Sequence, residues 1–339
     1  MKSALITGLN QLEIREIPDP VLPPGGVIVK MVSAAICGTD VKMLLNGHRD
    51  LVLPRIPGHE GAGVVIETDN ESFKTGDVVA VYPGIYCGKC LNCLDGNTSR
   101  CDSIRIYGFN QDGLFRGLVP FNSNEISSLI HVTEKGNTGN IALAEPLACC
   151  ISAMNKVSVK KGSALIIGAG SVGVIFASLL LARGFHSVVI ADRSEEKLTS
   201  QCPVNAKVIV SEAESLESKL MAEGVDAGFD LIVPCCPDGL KWGFTGFMKP
   251  GGSVLFFSGN NRGVESNRVD MNEVHYKELV LAGSYGCNLN DFRDALNMIV
   301  YDEIDLSFLI PHYISLEEMP GCVEILKKNN TKKVIIKRF

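Results

Sequence analysis

The rhythm of apolar and polar positions changes near residue 153. Before it, short apolar runs such as VIVKMV (27–32), GAGVVIE (61–67) and DVVAVY (77–82) are divided by turn signals such as PPGG and KTGD. That texture predicts a β-rich domain over residues 1–152. Beyond it, compact apolar runs recur at ALII (164–167), VVIA (188–191), KVIV (207–210), DLIV (230–233), SVLFF (253–257) and ELVLAG (278–283), alternating with helical stretches such as ESLESKLMAEG (214–224). Six strands with intervening helices predict an α/β chain with a doubly wound, six-stranded parallel sheet over residues 153–288. The tail, 289–339, carries the helical segment DFRDALNMI and a terminal strand, KKVIIK, and is expected to return to the first domain.

One run, ALIIGAGSVGVIFASLLLA (164–182), is uncharged over 19 residues and has the length of a bilayer span. Its glycines divide it into a short strand and a helix, so the membrane reading fails. Gly168, Ala169, Gly170, Ser171, Val172 and Gly173 form G-x-G-x-x-G directly after a strand, where helix amides can receive a pyrophosphate. The next strand ends at Asp192, nineteen residues past Gly173, the place for an acid that holds the adenosine ribose hydroxyls. Together they predict a Rossmann domain. Asp192 would repel the 2′-phosphate of NADP and favours NAD; Arg193 beside it is either a cofactor contact or a solvated side chain.

With 46% hydrophobic and 21% charged residues in 339, the chain can fill ordinary globular cores, which excludes general disorder. A net charge of −6 lacks the basic excess that a nucleic acid would require. The N-terminus, MKSALITGLNQLEIRE, has no signal-like apolar core, and a cytoplasmic location is expected. Of 12 cysteines, Cys87, Cys90, Cys93 and Cys101 cluster in CGKCLNCLDGNTSRC. Four thiolates at that spacing suit one closed tetrahedral zinc; an iron–sulfur cluster is the rival. Lys89, Arg100 and loop amides could offset the excess negative charge. His48, His131, His186, His275 and His312 lie outside every metal-like motif.

Cys37 in ICGTD, His59 and Glu60 in PGHEGAG, and Glu145 in LAEPLACC each mean little alone. In this order, with GDVV, the four-cysteine lobe and the glycine-rich turn, they make the chain resemble the zinc-dependent medium-chain dehydrogenase/reductase family along essentially its whole length. The resemblance implies a GroES-like catalytic domain beside the Rossmann domain, with the active site in the cleft between them. It implies a second zinc, on Cys37, His59 and Glu145, with Glu60 a fourth or exchanging ligand, and a homodimer or homotetramer. Cys⁻, neutral His, Glu⁻ and Zn²⁺ sum to zero, whereas Glu60⁻ would make −1 and weaken the Lewis acid. Asp40 matches an acid that orients the ligand His, and Thr39 a hydroxyl that takes the alcohol proton. Lys42 stands where relatives often have a relay histidine, and is either a cofactor contact or solvated. Glutamate in E-P-L resembles the polyol, sugar and threonine dehydrogenase branches. Gly286 and Cys287 replace an arginine that sorbitol dehydrogenases use for polyol, which argues against sorbitol itself. The expected reaction is NAD-dependent oxidation of a secondary alcohol of a polyol, sugar or cyclitol. A threonine dehydrogenase and a catalytically silent NAD-binding protein are the alternatives.

Overall fold

The computed structural model describes residues 1–133, 138–200, 202–225, 227–237, 239–259, 269–327 and 333–339. The chain forms two compact units, Met1–Ala148 with Cys287–Phe339, and Cys149–Gly286. The first crossing, between Ala148 and Cys149, lies inside the helix Ala144–Met154.

In the first unit the strands order as His312–Ser315, Val334–Arg338, Val27–Ile36, Glu60–Thr68, Val78–Val81 and Leu129–His131, and Leu118–Phe121 also pairs with Val27–Ile36. Lys332, the first residue of the expected terminal strand, lies outside the described residues. Val27, Val29 and Met31 share a core with Val65, Val79 and Phe121; Lys30 between them is exposed, whereas Ile28 and the strand end Ser33–Ile36 are buried on both faces. Register has a consequence for chemistry. Ala35 pairs with Glu60 and Ile36 with Val334, so Cys37, Glu60 and Lys333 fall at the same end of three neighbouring strands.

The second unit carries the sheet Lys207–Val210, Ser187–Asp192, Ser163–Ile167, Phe229–Pro234, Met248–Phe256 and Val280–Gly283, every neighbouring pair parallel. Strand order reverses at Ser163–Ile167, all five of whose residues are buried, as a strand covered on both faces requires. Its carboxyl end is the switch point where dinucleotides bind in such sheets. The glycine-rich turn follows it. A Cβ on Gly173 would stand 1.9 Å from the Gly168 carbonyl oxygen, so helix and turn close only without a side chain. Gly168 itself has φ +109°, a region open to glycine. Among the described residues no helix is long and apolar enough to cross a membrane.

Candidate active site and metal centres

Cys37 caps the helix Gly38–Asn46. Its Sγ accepts from the Thr39 N–H at 3.4 Å, and its own N–H donates to Asp40 Oδ2 at 2.8 Å. Cysteine is an unusual cap; here the first-turn amide of Thr39 holds its sulfur. Metal-binding atoms of Cys37, His59 and Glu60 all lie within 4.8 Å of one another, with His59 and Glu60 buried. Asp40 Oδ1 and His59 Nδ1 face each other at 3.4 Å, both buried and neither within a hydrogen bond. Burial opposes a charge on His59, yet Asp40 and then Cys37 lift its pKa well above the ordinary imidazole value. The site is therefore electrostatically built for a positive charge. A zinc ion fits it: thiolate, imidazole and carboxylate are its usual donors, and a carboxylate behind the histidine is the usual orienting partner.

Lys333 is the residue that sequence reasoning missed. It is 2% exposed, and its Nζ donates to both oxygens of fully buried Glu60 at 2.5 and 2.7 Å. Burial disfavours its ammonium, but Glu60, followed by Cys37 and Glu145, raises its pKa above the ordinary lysine value. Glu60 is thus neutralised by a cation of the protein, which changes the sum: Cys37, His59 and Glu145 can balance Zn²⁺ while the Glu60–Lys333 pair contributes zero. Glu145 starts the helix Ala144–Met154, half-buried, and lies outside the tight Cys37–His59–Glu60 group. Its carboxylate is within 4.8 Å of Cys287 Sγ. Thr39 and Lys42 sit one turn apart on the Cys37 helix, Thr39 half-buried and Lys42 exposed.

The four sulfurs of Cys87, Cys90, Cys93 and Cys101 also lie mutually within 4.8 Å, which suits a closed tetrahedral site. Backbone amides bind these sulfurs: Cys90 N–H donates to Cys87 Sγ at 3.4 Å and Cys87 N–H to Cys101 Sγ at 3.3 Å. Amides of Lys89 and Cys90 pull the Cys87 thiol down to about 6, whereas burial pushes Cys93 up. Loop amides are the direct donors to sulfur, while the Lys89 and Arg100 side chains are exposed. The lobe is fastened to the returning chain. Tyr82 Oη donates to Cys287 O at 3.0 Å, Leu289 N–H to Thr98 Oγ1 at 3.1 Å, and Ser99 N–H and Oγ both bond Asn288 Oδ1.

In the second unit Gly170 caps the twelve-residue helix Ser171–Ala182, and a Cβ there would meet nothing within 4 Å. That open ground before free helix amides is where a pyrophosphate fits. Ser171 and Val172, both half-buried, occupy the first turn. Asp192 Oδ2 accepts from Ala169 N–H at 2.8 Å and Oδ1 from Ser194 N–H at 2.9 Å, which fixes the carboxylate beside the glycine turn. Arg193 is exposed.

Comparison with known proteins agrees with this architecture. The model of the alcohol dehydrogenase GroES-like domain matches residues 23–131, and that of the zinc-binding dehydrogenase family matches residues 171–300. The chain is 29% identical over 324 residues to a D-altritol 5-dehydrogenase of Agrobacterium fabrum, covering 90% of each protein. It is 26% identical over 336 residues to an L-threonine 3-dehydrogenase of Shewanella frigidimarina, covering 95% of this chain and 94% of the relative. In structure it resembles an alcohol dehydrogenase from Thermotoga maritima, with a TM-score of 0.89 at 22% identity over 100% of this chain and 99% of the other. With both domain families in order along one chain, the protein is an oxidoreductase of the zinc-dependent medium-chain alcohol dehydrogenase family.

Proposed function

We propose that the enzyme oxidises a secondary alcohol of a polyol, sugar or cyclitol to the ketone, with NAD as hydride acceptor. The observation that carries this reading is the Cys37–His59–Glu60 donor group, with His59 and Glu60 buried, backed by Asp40 and with the Glu60 charge paired to Lys333. Zinc held by Cys37, His59 and Glu145 would supply a Lewis acid that lowers the pKa of the substrate hydroxyl toward neutrality. Asp40, facing His59 Nδ1 at 3.4 Å, is placed to orient the ring when a metal is bound, and Lys333 keeps the Glu60 charge from opposing that Lewis acid. Thr39, on the first turn of the Cys37 helix, takes the alcohol proton through its hydroxyl; Lys42, one turn on, is the candidate for passing it to solvent. Gly168, Gly170 and Gly173 seat the cofactor pyrophosphate with the Ser171 and Val172 amides, and Asp192 selects the unphosphorylated ribose, with exposed Arg193 at the rim.

The relative named as a D-altritol dehydrogenase supports a polyol, and the one named as a threonine dehydrogenase keeps an amino alcohol as the runner-up. A second zinc closes the four-cysteine lobe. Twelve unbridged cysteines suit a reducing, cytoplasmic setting. Val280–Gly283 ends its sheet with Val280 46% exposed, and an exposed edge of this kind suits pairing with a second copy into a dimer or tetramer.

The test is NADH absorbance over a panel of C4–C6 polyols, cyclitols, sugars, simple secondary alcohols and L-threonine, with NADP run in parallel. Highest kcat/KM on a polyol, sugar or cyclitol with NAD supports the reading, and preference for L-threonine or NADP overturns it. Thr39→Val should lower kcat by on the order of 10²-fold, the usual scale of general acid–base transfer. Thr39→Ser should recover most of that loss.

A further inference from the structure

His48 lies eleven residues before the metal-site histidine and belongs to none of the metal motifs. The structure nonetheless brings it to the same aromatic wall. The Phe109 ring meets His59 edge-to-face at 5.3 Å between ring centres and meets His48 in the same manner at 5.2 Å. Phe109 is 6% exposed, a buried ring that both imidazoles share.

The protonation of His48 follows from one hydrogen bond. The backbone N–H of Asp50 donates to His48 Nδ1 at 3.2 Å. An amide N–H can only donate, so Nδ1 carries a lone pair and the ring proton belongs to Nε2. Burial lowers the pKa of His48, opposed by Asp50 and reinforced by Arg49, which favours this neutral form. Its side chain is 22% exposed, and among the described residues Nε2 has no hydrogen-bond partner. The result is a neutral Nε2–H donor of fixed tautomer, on a partly exposed ring that shares Phe109 with the metal-site histidine. A simple secondary alcohol has only the hydroxyl that reacts. A polyol has further hydroxyls on neighbouring carbons, and each needs a partner when it leaves water.

We propose that His48 is a specificity-determining residue whose Nε2–H donates to a second hydroxyl of the substrate, so that the enzyme selects polyols over simple secondary alcohols of equal length. This rests on the polyol reading given above. The Nδ1–Asp50 bond orients the ring, and its edge-to-face contact with Phe109 packs it against the ring that also meets His59.

The experiment compares the best linear polyol of a C4–C6 panel with the secondary alcohol of the same carbon number, using the zinc-loaded holoenzyme. His48→Phe keeps the ring but removes the donor. His48→Asn keeps an acceptor for the Asp50 amide and also removes it, whereas His48→Gln places an amide donor near Nε2. The expected result is a fall of about tenfold in the polyol-to-alcohol ratio of kcat/KM for the first two, carried mainly by KM, with recovery in His48→Gln; tenfold is the worth of one hydrogen bond. Calorimetric titration of the NADH-bound protein with that polyol should show the same order of weakening and recovery without turnover. A ratio within twofold of the unmodified enzyme in the first two variants, or equal loss on both substrates, overturns the role of His48 and leaves the polyol reading standing. If the unmodified enzyme oxidises no polyol in the panel, the polyol reading fails and this proposal fails with it.

Discussion

The two cysteine-bearing centres of the first unit are built on opposite plans. The four-thiol centre draws all its donors from residues 87–101, on exposed loop and single-turn segments bonded by nearby amides. The other centre gathers Cys37, His59, Glu60 and Lys333 from two strand ends, the loop leading into a strand and a helix cap, and the Glu60–Lys333 pair spans 273 residues of sequence. A local set of four like donors saturates a tetrahedral ion and leaves no room for substrate. A dispersed, mixed set needs the finished sheet to exist, and its charges are balanced by the fold. The first plan ties metal to stability; the second ties stability to chemistry.

The sharpest way to break this contrast is Cys90→Ser. Structural zinc sites bind with apparent free energies of about 10–16 kcal/mol in small folding units. Loss of one thiolate should therefore remove most soluble folded protein, or one zinc per chain with a large drop in the thermal midpoint. A Cys90→Ser protein with parental stability and undiminished zinc content by atomic absorption would show that the lobe folds without its metal.

Next in size is Lys333→Met, which leaves Glu60 buried without its cation. Removing one partner of a buried pair costs about 3–5 kcal/mol. Adding Glu60→Gln should return much of that, because the orphaned charge is gone. Denaturation midpoints of the single and double variants decide the matter, and equal midpoints for both would mean that Lys333 does not neutralise Glu60.

The smallest expected effect separates orientation from ligation. Asp40→Asn keeps the shape of the acid but removes its charge behind His59, and losses of about 10–100-fold in metal affinity are usual for such partners. Competition with a zinc chelator should strip one metal from Asp40→Asn sooner than from the parent, while the metal of the four-cysteine lobe stays. Simultaneous loss of both would contradict independent centres.

Legibility in the sequence follows the same division. The four-cysteine lobe and the glycine-rich turn are local patterns, so spacing alone exposes them, and the six apolar runs mark the six strands of the second sheet. Asp192 is readable because one strand and one helix separate it from Gly173. Cys37, His59, Glu60 and Glu145 are linked in the sequence only through the family resemblance, since no spacing rule joins them, and the structure groups the first three while Glu145 stays outside. Lys333 carries no signal at all: it is one lysine before an apolar strand, and only the Ile36–Val334 and Ala35–Glu60 pairings reveal its partner. His48 stays silent for the same reason, because Phe109, sixty-one residues on, is what relates it to His59.

The bonds that join Thr98 to Leu289 and Ser99 to Asn288 have a consequence for the order of synthesis. Thr98 waits for an amide made 191 residues later, on the far side of the whole nucleotide-binding unit. At roughly 5–20 residues per second, that interval is about 10–40 s. During it the emerging lobe can load its metal while Tyr82, Thr98 and Ser99 are still satisfied by water. The first unit begun on the ribosome is thus the last to be completed, and the second is finished while the first stands open.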